Sequence, residues 1–156
     1  MNVANALIGR PLPMIPKVLN GRVHFVCTCE LSPHELELFS VGLDCLSQTF
    51  SEDQLKAVRP KGTIIVLGSP TLELEWSGSD VLGQEFSVMV YPLYLWREKQ
   101  LSDYQMLTCI LEELCHRIFD IDDEILVKYK VAEAVQKYNP KISKELLYPG
   151  VAFPPC

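Results

Sequence analysis

The stretch "ILEELCHRIFDIDDE", residues 110–124, decides how this chain is read. Leu107, Ile110, Leu111, Leu114 and Ile118 recur at spacings of three and four, which predicts a helix with one apolar stripe. Ser102-Asp103-Tyr104-Gln105 upstream is a capping box and predicts where that helix starts. Glu112 and His116 stand one turn apart on its other side, so their side chains can reach the same point in space. An i, i+4 pair of this kind either is solvated and steadies the helix by a few tenths of a kcal/mol, or holds a ligand. Asp122, Asp123 and Glu124 then open a second helix, where acids suit the positive end. Val127, Val131, Val135 and Tyr138 continue it in register with Glu124, so Glu124 heads the stripe expected to face inward. Asp122 and Asp123 are rotated away from that stripe. Asn139-Pro140 ends this helix.

Working outward, residues 22–29, "RVHFVCTC", read as a strand. Ser32-Pro33-His34-Glu35 is a capping box with proline at the first helical position, predicting a helix over 33–49 that buries Leu36, Phe39, Leu43 and Leu46. A further box, Ser51-Glu52-Asp53-Gln54, predicts a short helix that stops near Pro60 and Gly62. Residues 63–67, "TIIVL", are apolar on both faces and suit a central strand. Residues 71–76, "TLELEW", alternate, which predicts that Leu72, Leu74 and Trp76 are covered while Thr71, Glu73 and Glu75 are wet. "SGSD" reads as a turn. Residues 85–96, "EFSVMVYPLYLW", read as a strand at a sheet edge or with a bulge, because Pro92 cannot donate a ladder hydrogen bond. The tail, 139–156, carries three prolines after residue 140 and room for one short turn. This order predicts a single α+β domain, a small mixed sheet packed with helices.

The chain of 156 residues carries a net charge of −6 and has no basic run, which argues against nucleic acid as a partner. Its longest apolar runs fall short of the roughly 20 residues that span a bilayer, and no basic start precedes a long apolar core. No membrane association is expected, and a cytoplasmic location is. The six cysteines are then reduced thiols, and no paired C-x-x-C turns suggest a zinc knuckle. No phosphate-binding glycine loop or G-x-S-x-G elbow is present. Cys115 and His116 point about 100° apart on a helix, which disfavours them as a nucleophile and its base.

With its element order and its Glu112-Glu113-Leu114-Cys115-His116 run, the chain resembles a minimal zincin-like metallopeptidase core of the gluzincin type over roughly residues 20–138. The resemblance implies a zincin-like fold and peptide-bond hydrolysis by metal-activated water, with zinc or another divalent ion held by Glu112, His116 and Glu124. It makes Glu113 the general base. The metzincin arrangement would take Asp122 as third ligand, but Phe119 stands where that arrangement needs glycine. Glutamate in place of the first histidine adds negative charge and weakens activation of the water, so the expectation covers an active or a degenerate peptidase. The strand at 85–96 would pair with an extended peptide substrate, with Tyr91 or Tyr94 binding it near the developing oxyanion. The rival expectation is a non-catalytic protein-interaction domain on the same scaffold, binding its partner through that edge strand.

Overall fold

In the computed structural model, residues 2–49, 62–75, 87–151 and 153 are described. The elements run β1 (Asn2–Val3), β2 (Val23–Cys27), α1 (Pro33–Ser47), β3 (Gly62–Val66), β4 (Leu74–Glu75), β5 (Val88–Tyr91), α2 (Leu93–Glu98), α3 (Asp103–Phe119), α4 (Glu124–Tyr138) and α5 (Lys144–Leu147). The predicted box at Ser51 and the turn "SGSD" lie outside the described residues, as does Trp76.

Strands β2, β3 and β5 form a parallel sheet with β3 in the centre, Phe25 opposite Ile64 and Ile64 opposite Met89. A separate antiparallel ribbon joins β1 to β4. Because side chains alternate along a strand, one face of the parallel sheet presents Phe25, Cys27, Ile64, Val66, Met89 and Tyr91. Helices α1, α3 and α4 cover that face with Phe39, Leu43, Leu46, Ile110, Leu111, Leu114, Val127, Val131 and Val135, making the main core. The other face presents Val26 and Ile65 to a smaller cluster with Val3, Leu67, Leu72 and Tyr94. The result is the expected α+β domain, with helices massed on one side of a small sheet.

Local signals account for the helix starts. Ser32 Oγ accepts from the Glu35 N–H while Glu35 Oε2 accepts from the Ser32 N–H at 2.7 Å, and Ser102 with Gln105 repeats the pattern on α3. Asp123 caps α4 by accepting from the N–H groups of Ile125 and Leu126. Helix α3 stops at Asp120, a left-handed residue with φ 55°.

Three expectations are corrected. The predicted strand at 85–96 is limited to four residues: Pro92 closes it and α2 begins at Leu93, which takes Tyr94 out of the sheet. Leu74 is half exposed, because β4 is a two-residue edge of the ribbon. Glu124 does not face inward; its side chain is 69% exposed, since the buried stripe of α4 starts one turn later at Val127.

Candidate functional site

Helices α3 and α4 meet at a corner built on His116. Its carbonyl accepts from the N–H groups of Asp120 and Ile121 as the chain reverses. Its ring Nδ1–H donates to the Ile121 carbonyl at 2.6 Å, because a carbonyl can only accept. That bond fixes the ring, and Nε2 points at Glu124 Oε1, 3.5 Å away. Glu124 Oε2 lies 3.6 Å from the Lys128 ammonium, one turn along α4.

Glu112 completes the seam from α3. Burial pushes its carboxyl up, against lowering by the Tyr148 hydroxyl and the Lys128 ammonium; the charge of Glu124 adds to the rise and that of His116 opposes it. Tyr148 reaches the seam from just beyond α5 and is itself buried. Its hydroxyl makes no hydrogen bond of good geometry among the described residues, yet it lies close enough to Glu112 for each to shift the other's proton affinity. Burial, then the Glu112 charge, raises the phenol. The Lys128 ammonium stands 5.9 Å from the centre of the Tyr148 ring, and its side chain is only 23% exposed.

The structure therefore brings Glu112, His116 and Glu124 to one seam, half-buried rather than solvated for Glu112 and His116, because α4 and the segment after it cover that side of α3. Glu113 is exposed and turned off the seam. Asp122 is exposed, and Asp123 is occupied as a helix cap. Tyr91 is fully buried, with its hydroxyl donating to the Ile110 carbonyl at 2.9 Å and its ring packed on Phe39 and Trp96. Tyr94 packs on the opposite side of the sheet. The two tyrosines thus share no cleft. Lys128 and Tyr148 are the members the sequence reading missed. The one sequence signal that could have found Lys128 is its i+4 spacing from Glu124, and Tyr148 carries none, since the tail's path over α3 is a tertiary feature.

As a metal centre the seam is half suited. An imidazole whose Nδ1–H is tied to a carbonyl is the usual form of a ligating histidine, and carboxylates are acceptable partners. The placement does not follow: among the described residues no three His, Cys, Asp or Glu side chains are disposed to hold a metal ion. The donors as folded do not fit a three-ligand centre.

The five described cysteines are free. Burial pushes Cys27 up to about 11, and Cys45 and Cys115 up to about 12, which keeps them as inert thiols. No helix among the described residues is long and apolar enough to cross a membrane.

A second feature lies on the outer side of α4. Ile121, Leu126, Tyr129 and Ala132 line an open groove of about 480 Å³, rimmed by Lys130, Glu133, Gln136 and Lys144. Leu126 is 57% exposed there. Lys130 and Lys137 both pair with Glu133, whereas Lys144 lies over the rings of Phe153 and Tyr129 with no carboxylate partner among the described residues.

No protein-family model, curated protein or solved structure matches the chain.

Proposed function

We propose that this chain is a non-catalytic protein-interaction domain whose binding surface is the groove along α4. The observation that carries the reading is the groove itself, an apolar floor left open beside a lysine. Its size is that of a site for a few side chains, and exposed apolar surface rimmed by charge marks binding surfaces. The occupant suited to it is a short apolar segment of a partner protein carrying an acidic residue to meet Lys144. The edge of β5 serves less well for strand addition, because Met89 and Tyr91 are spent on the core and Val90 alone is well exposed. Selection from a displayed peptide library tests this. Enriched peptides should pair apolar residues with an acid, and Leu126→Asp should abolish their binding while Glu112→Gln leaves it intact. A folded chain that enriches no peptide over the Leu126→Asp variant refutes the reading.

A second reading, the metal-dependent peptidase, draws support from the orientation of His116, whose Nε2 is held toward Glu124. Its test is peptide cleavage that is lost on chelation and on Glu113→Gln. Cleavage insensitive to both removes it.

A further inference from the structure

We infer that residues 10–16, "RPLPMIP", are a polyproline ligand, held against the chain's own fold, for a partner domain whose groove is lined by aromatic rings and carries a carboxylate at one end. Proline fixes φ at positions 11, 13 and 16 and pushes the residue before it to extended backbone, here Arg10, Leu12 and Ile15. Within the stretch that leaves Met14, whose N–H donates to Ser40 Oγ on α1 at 2.9 Å. Residues 10–16 form no helix, strand or turn, and Pro16 has φ −53° and ψ 143°. These are features of the left-handed polyproline helix, which has three residues per turn and no internal hydrogen bonds.

Burial follows that period. Pro11, Met14 and Lys17 fall on one ridge and are all exposed, Met14 by 77%. Pro13 and Pro16, a turn apart on the next ridge, are buried and half-buried, and Ile15 beside them packs against the main core. Arg10 lies in line with Pro13 and Pro16 and pairs with Glu30 Oε1 at 2.8 Å. The fold thus holds the face that a P-x-x-P groove reads, the pairs Leu12-Pro13 and Ile15-Pro16 with a cation at one end, and Glu30 stands in for the partner's carboxylate. The polar part of that hold is slight. The ion pair is more than half exposed on both sides, and the Met14 hydrogen bond lies at the surface. A partner groove replaces the cover that Pro13 and Ile15 lose, and a ligand already extended gives up little freedom on binding. The inference is independent of which partner the α4 groove accepts.

The test titrates a panel of purified SH3 domains with a synthetic peptide of residues 7–18, with the full chain, and with its Ser40→Ala, Arg10→Glu and Leu126→Asp variants. One or more domains should bind the peptide and bind the full chain more weakly. Ser40→Ala removes the hook without altering the ligand, so it should tighten binding of the full chain about fivefold. Arg10→Glu should abolish binding in chain and peptide alike, while Leu126→Asp, which tests the α4 groove, should leave it unchanged. A panel that binds neither the peptide nor the Ser40→Ala chain overturns the inference. So does binding that survives Arg10→Glu, or a Ser40→Ala chain that binds no tighter than the parent, which is the behaviour of a purely structural strap.

Discussion

Glu35 joins two structural roles, and removing it measures both. Its Oε2 accepts from the Ser32 N–H at 2.7 Å, completing the capping box of α1. The same carboxylate receives Arg97 Nε and Nη2, each at 2.8 Å, which ties the start of α1 to α2. Arg97 Nη2 also donates to the Glu30 carbonyl at 2.9 Å. The Glu35 side chain is 10% exposed and that of Arg97 45%, so the pair is only partly screened. A lost cap costs about 1 kcal/mol. Charge-assisted hydrogen bonds contribute about 1.5–3 kcal/mol, and the exposure of Arg97 argues for the lower end. Glu35→Ala should therefore destabilise by about 2–4 kcal/mol, lowering the urea midpoint by on the order of 1–2 M at unchanged slope. Glu35→Gln keeps an acceptor for Ser32 and should cost about half as much. Acidity gives an independent check. Burial acts to raise the Glu35 carboxyl, but the hydrogen bonds from Arg97 and Ser32 and the guanidinium charge overcome it and hold the group below its usual range. A carboxyl depressed in the folded state adds stability that is complete above the ordinary carboxylate range and is lost as pH falls through the folded value. The parent should thus lose stability relative to Glu35→Gln on acidification from neutral pH, and their difference should shrink. A Glu35→Ala chain within about 0.5 kcal/mol of the parent at neutral pH would refute the reasoning.

Gly42 lies where α1 crosses α3, and a Cβ there would meet Ile110 Cγ2 at 2.7 Å. Gly42→Ala should cost about 1–3 kcal/mol in overpacking, against about 1 kcal/mol gained in helix propensity. A melting temperature that rises would show that the crossing yields freely; adding Ile110→Ala should relieve the clash and appear as coupling in a double-mutant cycle. Asp123 accepts two N–H groups at the start of α4, so Asp123→Ala should lower unfolding free energy by about 1 kcal/mol in chemical denaturation, while Asp122→Ala should leave it nearly unchanged.

Much of the fold was legible in the chain because it rests on short-range chemistry. The boxes at Ser32 and Ser102 specify their helices through groups three residues apart. The apolar run at Ile64-Ile65-Val66 suits the centre of a sheet, where both faces are covered. The reading failed where one residue's geometry overrode a longer pattern: the apolar run through Tyr94 continues past Pro92, but the strand does not. It failed again at Glu124, where periodicity gives the direction of a side chain but not how far the covering helix extends.

The candidate corner divides along the same line. That Glu112 and His116 share a helix face, with Glu124 opening the next helix, was determined by the sequence alone, because a turn of helix is a local geometry. Only the tertiary structure decided what surrounds them. The chain reversal at Asp120 ties His116 to the Ile121 carbonyl, and the tail brings Tyr148 against Glu112. Lys128, an i+4 neighbour of Glu124 in the sequence, is brought by the fold beside the ring of Tyr148, with its side chain 23% exposed. The charge that a carboxylate meets depends on which segments pack over it, and that packing joins residues far apart in the chain.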